Sequence, residues 1–246
     1  MQRLNKILSD AGIAARRKCD DLIRNGKVSV NGKIIIAPYF RADLTKDFIK
    51  VNNIRVKTHI EKLYYFLNKP KGYLCANSDL KNRKTIFDLF PKRTRLFSAG
   101  RLDKETCGLI FVTNDGELAQ RMIHPSFGLD KEYVVKTEEF ITHEHLIKMS
   151  GGMWIERAFV KPKKVIKVRK NCFKIIVSDG KKHEVRLIAA SAGLTIIELK
   201  RVRIGPFTLG ALPEGAYRKL SPSEKKVLLF PPAGSDNNKK EILCCR

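Results

Sequence analysis

The sequence predicts an α+β protein: a small helical module with a hairpin, then a larger domain on a mixed, largely antiparallel sheet. Three observations lead there. Short apolar runs of strand length recur along the chain at residues 63–67, 109–112 and 173–177, with brief helical patterns between them. The first fifty residues carry two short amphipathic helices and a hairpin signal. The stretch Gly100-Arg101-Leu102-Asp103-Lys104-Glu105-Thr106-Cys107-Gly108 places a polar, acid-bearing loop before the most apolar of those runs.

At the front, Leu4, Ile7 and Leu8 share one helical face and Gly12 can end that helix. Residues 16–25 fit a second helix, with Leu22 and Ile23 inward and Gly26 at its stop. Asn31-Gly32 between residues 28–30 and 33–36 reads as a type I′ hairpin turn. Residues 52–62 read as a linker. The run at 63–67 is a strand stopped by Asn68-Lys69-Pro70-Lys71-Gly72, and residues 85–89 form a helical turn before Pro91.

Residues 109–112 read as a strand covered on both faces, closed by the turn Asn114-Asp115-Gly116. Gly100 and Gly108 bracket the loop in front of it. Most aspartates in turns cap helices or satisfy local donors, but here Lys104, Glu105 and Thr106 crowd more polar groups around Asp103 than one cap requires. A metal nuclease using Asp103, Asp115 and Glu117 is a poor alternative. A strand over 108–113 would place its ends roughly 20 Å apart at ~3.3 Å per residue, so the three acids could not share a metal.

Beyond it, residues 117–123 form a helix ending before His124-Pro125, where His124 reads as a packed or capping side chain. Residues 131–135 form a strand carrying Tyr133. Residues 142–149 form a helix capped by Thr142, and residues 165–168 and 173–177 two strands around Lys170-Asn171. A polar loop, residues 178–183, enters an Ala-rich helix at 184–191, whose Ala189, Ala190 and Ala192 suit close packing on a sheet. Residues 199–204 give a basic-apolar strand with Lys200, Arg201 and Arg203, and residues 235–246 a mobile tail.

The 246 residues suit one catalytic domain plus a small accessory one, and 43% hydrophobic content builds a core. The net charge of +24 points to nucleic acid before anionic membrane. No run approaches transmembrane length and no signal-peptide pattern opens the chain, so a cytoplasmic protein is expected. Six scattered cysteines, Cys244 and Cys245 in the tail among them, fit a reduced protein without structural zinc. Charge is densest at the front: residues 1–60 carry 13 basic and 5 acidic side chains. Arg16, Arg17 and Lys18 open the second helix against its dipole. Asp20 and Asp21 could offset them, or the cluster, with Arg3 and Lys6, could grip phosphates.

The unbroken run from Gly100 to Gly116, with Gly-Arg-Leu-Asp, Thr, Gly, an apolar strand and Thr-Asn-Asp-Gly, resembles the signature of bacterial ribosomal-RNA pseudouridine synthases of the RsuA type. The resemblance implies that Asp103 is the catalytic carboxylate. It continues in Asn68-Lys69-Pro70-Lys71-Gly72, Lys131-Glu132-Tyr133 and the loop before Arg186, and implies Tyr133 in the active site and Arg186 ion-paired with Asp103, keeping it ionised. Glu184, Leu187 and Ile188 depart from the family pattern, and the last two bear on how the target base packs. Residues 2–50 resemble the small S4-like RNA-binding module shared with a ribosomal small-subunit protein. The expected organisation is an RNA-binding domain at 1–58, a catalytic domain at 61–232 with its site in a basic cleft across the sheet, and the tail.

The implied activity is cofactor-independent isomerisation of a uridine in ribosomal RNA, with a leaning to the large subunit, by a monomer acting on RNA or an assembly intermediate. Lys69, Arg101, Lys200, Arg201 and Arg203 join the front cluster as candidate RNA contacts, and no metal is expected. Small-subunit ribosomal RNA as the substrate is one alternative, and a non-catalytic RNA-binding or ribosome-assembly protein is the other. Such a protein would not need Asp103, Tyr133 and Arg186 together.

Overall fold

The computed structural model describes residues 1–57, 60–77, 79, 81–91, 94–123, 128–178 and 180–229. His124, Cys244, Cys245 and the 235–246 tail lie outside the described residues. The chain divides into two compact units. Met1–Leu63, with 94–95 and 114–116, forms the first, and the second takes most of the remainder.

In the first unit, strand β1 (Gln2–Arg3) runs into helix α1 (Leu4–Asp10), followed by α2 (Arg16–Arg24), β2 (Val28–Val30), β3 (Lys33–Ile34) and β4 (Arg41–Ala42), which pairs β1. Leu4, Ile7 and Leu8 of α1 meet Cys19 and Ile23 of α2 and the strand valines in one core. Asn5 Nδ2 donates to Asp20 Oδ1 at 2.7 Å, so Asp20 ties the two helices together. Asn31 (φ 51°) and Gly32 (φ 81°) adopt the left-handed conformations that the expected turn demands. The expected linker is corrected at its start. β5 (Ile49–Val51) and β6 (Ile54–Arg55) form a second hairpin around Asn52 and Asn53, both left-handed, and Val56 is buried in this core. Asparagine tolerates that backbone because its short amide bonds locally.

The second unit carries β7 (Tyr64–Lys69), a 3-10 turn (Ile86–Leu89), β8 (Phe97–Ala99), β9 (Thr106–Thr113), α3 (Gly116–Ile123), β10 (Lys131–Thr137) and α4 (His143–Gly151). Then follow β11 (Met153–Ile155), β12 (Ala158–Val160), β13 (Lys164–Arg169), β14 (Cys172–Val177), α5 (Glu184–Ser191), β15 (Ile196–Ile204), β16 (Phe207–Thr208), β17 (Tyr217–Lys219) and α6 (Pro222–Leu229). Its sheet runs β13-β14-β10-β15-β9-β7-β17, with β8 beside β9 and β16 beside β15. The β9–β15 pair is parallel and the other neighbours are antiparallel, giving the mixed, largely antiparallel sheet expected. Capping boxes close the 3-10 turn (Thr85 with Asp88) and α4 (Thr142 with His145).

Two boundaries differ from expectation. β7 continues through Asn68 and Lys69, because both side chains find partners indoors and the Pro-Gly turn takes effect only at Pro70. β9 begins at Thr106 and is buried along its whole length, so Gly108 lies inside the strand instead of closing the loop. Its φ is +106°, and a Cβ there would fall 2.2 Å from the carbonyl oxygen of Arg201 on β15. Ala189 on α5 and Ala192 at its C-cap are buried, but Ala190 faces solvent.

Gly108→Ala therefore meets a backbone collision in a conformation that L-residues avoid. We expect a loss of about 3–5 kcal/mol in urea unfolding. A loss under about 1 kcal/mol would show that β9 and β15 separate at little cost.

Candidate active site

The loop before β9 lines a cleft of about 310 Å³ within the second unit. Gly100 takes φ +79°, and Leu102 is buried with its N–H donating to Cys75 Sγ at 3.4 Å, which leaves Asp103 at the cleft. The backbone oxygen of Asp103 accepts from Thr106 N–H at 3.1 Å. Opposite stands the N-terminus of α5. His183, its N-cap, is left-handed (φ 57°), a conformation costing a non-glycine residue about 1–3 kcal/mol. That turn brings His183 Nε2 to 3.3 Å from Asp103 Oδ1 and Arg186 Nε to 3.9 Å from Asp103 Oδ2. Arg186 Nη2 also donates to Thr106 Oγ1 at 3.4 Å.

Asp103, Tyr133 and Arg186 thus line one cleft, although they come from a loop, strand β10 and helix α5. Tyr133 is 8% exposed and sits across from Arg201, which sits across from Gly108. An irregularity between Glu132 and Tyr133 shifts the register of β10 on β15. Leu199, Arg201 and Ile204 then line the cleft, while Lys200, Val202 and Arg203 line a separate concavity with Glu132. His183, Thr106, Lys131, Lys181 and Lys182 also line the cleft and were missed. The polar run Lys181-Lys182-His183 entering a helix was the available signal for three of them.

Several expected RNA contacts are corrected. Lys69 is fully buried, its Nζ donating to the carbonyls of Pro70 (3.0 Å), Lys104 (3.1 Å) and Thr106 (2.8 Å). Burial pushes its ammonium below the usual lysine range, and no phosphate can reach it. Arg201 is 4% exposed, donates through Nε to Leu109 O at 2.7 Å, and has Nη2 without a hydrogen bond among the described residues. It forms the cleft floor and is no surface cation. Arg203 binds Glu132 (2.8 Å) and the Gly205 carbonyl (2.8 Å), and with Lys200 lies away from the cleft. Arg203 hydrogen bonding, followed by Lys174, holds the Glu132 carboxyl low. Arg101 is exposed at the cleft, and Arg3, Arg16, Arg17 and Lys18 are exposed in the first unit, where Lys6 is half-buried.

The three departures from the family pattern also take definite places. Glu184 is buried and accepts from Lys181 N–H at 2.9 Å, fastening the loop that presents His183. Ile188 packs in the interior and Leu187 is exposed, so neither lines the cleft as expected of residues that pack the target base. Among the described residues no group of three His, Cys, Asp or Glu could hold a metal, and no helix is long and apolar enough to cross a membrane.

Lys69 connects β7 to both ends of the segment Lys104–Thr106. Lys69→Met would remove the shared donor from all three carbonyls, of which that of Lys104 keeps the Gly72 N–H at 2.8 Å. At about 1–3 kcal/mol for stranding a buried polar group, we expect roughly 2–4 kcal/mol lost in urea unfolding. A neutral result would mean that water replaces the ammonium.

The chain matches the S4 domain over residues 2–49 and RNA pseudouridylate synthase over residues 63–191. It is 35% identical over 235 residues to ribosomal large subunit pseudouridine synthase B of Bacillus subtilis, covering 93% of this chain and 96% of that one. A chloroplastic protein of Arabidopsis thaliana is 40% identical over 247 residues, and there the match spans 60% of the longer relative. A crystal structure of a pseudouridylate synthase superposes with a TM-score of 0.68 at 29% identity, covering 93% of this chain and 100% of that one. Together with the cleft that assembles around Asp103, these matches place the chain in the RNA pseudouridylate synthase family.

Proposed function

We propose that this protein isomerises a uridine of large-subunit ribosomal RNA to pseudouridine, with Asp103 as the reacting carboxylate. The observation that carries the reading is Asp103 itself, an acid held between His183 and Arg186 in a cleft whose other charged lining, Glu184 apart, is basic. The large-subunit assignment is supported by the Bacillus subtilis relative, whose length the match nearly spans.

The reaction breaks the bond from ribose C1′ to N1, turns the uracil, and joins C5 to C1′. The C5 proton leaves and N1 gains one, so atoms balance without a redox change and no cofactor is required. Asp103 either attacks C1′ or takes the C2′ proton, and both routes begin from an ionised carboxylate. Arg186 and His183 orient it. Tyr133 stacks on the turning uracil and helps move the C5 proton. The target must leave the RNA stack, at a few kcal/mol, and phosphate contacts by Arg101 and the cleft lysines offset that cost. The first unit, corresponding to the expected domain at 1–58, supplies affinity through Arg3, Lys6, Arg16, Arg17 and Lys18. The working form in this reading is a cytoplasmic monomer acting on ribosomal RNA or an assembly particle.

Asp103→Asn should fold, bind RNA and form no pseudouridine in a tritium-release assay. Retained turnover would end the mechanism, whereas a variant that neither folds nor binds would place Asp103 in the architecture. Changing the five front cations to Ala should lower the slope of log affinity against log salt by roughly 3.5–4.5 units, at ~0.7–0.9 per phosphate. An unchanged slope would remove the first unit from phosphate binding.

A further inference from the structure

The hairpin of β11 and β12 was not foreseen, and its two faces differ. Ile155 and Val160 are buried, whereas Trp154 is 69% exposed and Phe159 50%. These two are directly opposed across the ribbon, with ring centroids 5.8 Å apart and planes at 66°. An edge-on aromatic pair helps hold a two-stranded ribbon that would be marginal alone. That support does not require the only tryptophan of the chain to stand in water. The sequence that follows it is one-sided in charge, although Lys163 pairs with Asp130 at 2.8 Å and Lys174 with Glu132 at 3.3 Å. From Arg157 to Lys174 the sequence has eight basic residues and no acid, and Glu156 in the turn is the nearest carboxylate before them. Arg157 sits at the turn end of the hairpin and Lys161 at its open end, ~13 Å apart along an extended strand. β11 lies against α5, the helix that carries Arg186.

We propose that Trp154 and Phe159 form a stacking platform for single-stranded RNA beside the cleft, with Arg157 and Lys161 holding phosphates on either side of the stacked base. The aromatic faces accept any base, while the acid-free basic tract selects a polyanion. An acidic protein would meet the same charge, but it would not use two open rings flanked by cations as a nucleobase does. The inference rests on the reading that the substrate is RNA. It adds a surface outside the reacting cleft that holds nucleotides flanking the target.

Because Trp154 is the single tryptophan, the intact protein reports on its own platform. Titrating the full chain with a single-stranded oligoribonucleotide should quench Trp154 emission in step with binding measured by filter retention. Phe159→Ala should weaken binding by about 5- to 150-fold, the range for loss of one base stack. Arg157→Glu with Lys161→Glu, exposed changes that spare the hairpin core, should weaken it and flatten its salt dependence. Unchanged emission at saturating RNA would overturn the proposal, as would quenching by poly-glutamate but not by RNA. Pseudouridine formation is measured separately. Turnover without quenching refutes the platform alone, and quenching without turnover refutes the isomerase reading alone.

Discussion

The close approach of β9 and β15 at Gly108 is the constraint on which the second unit depends. These two strands form the parallel junction of the large sheet, joining the β7 side to the β10 side. No side chain larger than hydrogen fits against the Arg201 backbone. Parallel pairing there places the loop that leads into β9 near α5, which leads into β15. Asp103 thereby meets His183 and Arg186 without any of them being close in sequence. One missing Cβ thus lets two distant segments share a carboxylate and its cations.

The sheet also sorts charge. Along β15, Arg201 turns into the cleft while Lys200 and Arg203 turn away, and the irregularity opposite Glu132 decides which residue goes where. Arg203 is occupied by Glu132, whereas Arg201 keeps one guanidinium nitrogen without a hydrogen bond among the described residues. A strand that reads as uniformly basic therefore serves two surfaces with different chemistry.

Much of this was legible in the sequence because local signals and tertiary demands agree. The apolar run ending at Val112, the Ala-rich helix α5 and the Asn31-Gly32 turn each follow from residues close together. Lys69, Arg201 and Gly108 did not, since their roles depend on strands distant in sequence. A lysine beside Pro-Lys-Gly looks solvent-exposed until β9 covers it. The hairpin at Trp154 has a Glu156-Arg157 turn with no glycine or asparagine to mark it. Helix α6, by contrast, was announced and passed over: Ser221-Pro222-Ser223-Glu224 is a capping box with proline at the first helical position. Glu224 there is also gripped by Arg218 at 2.7 Å, which takes its carboxyl down to about 2. Asp103, Tyr133 and Arg186 came from motifs, whereas for His183 the polar run marks only the loop, and its place beside Asp103 follows from the left-handed backbone there.

The buried ammonium of Lys69 has a consequence for how the protein responds to its medium. Three carbonyl oxygens from two segments converge on it as they would on a small inorganic cation. This cation is covalently attached and shielded from water, so it neither exchanges with dissolved ions nor feels their screening, which acts mainly on exposed charges. Contacts to phosphate loosen as salt rises. Concentrated electrolyte should thus leave the Asp103 loop in place while emptying the cleft, so that substrate capture and site assembly answer to different variables.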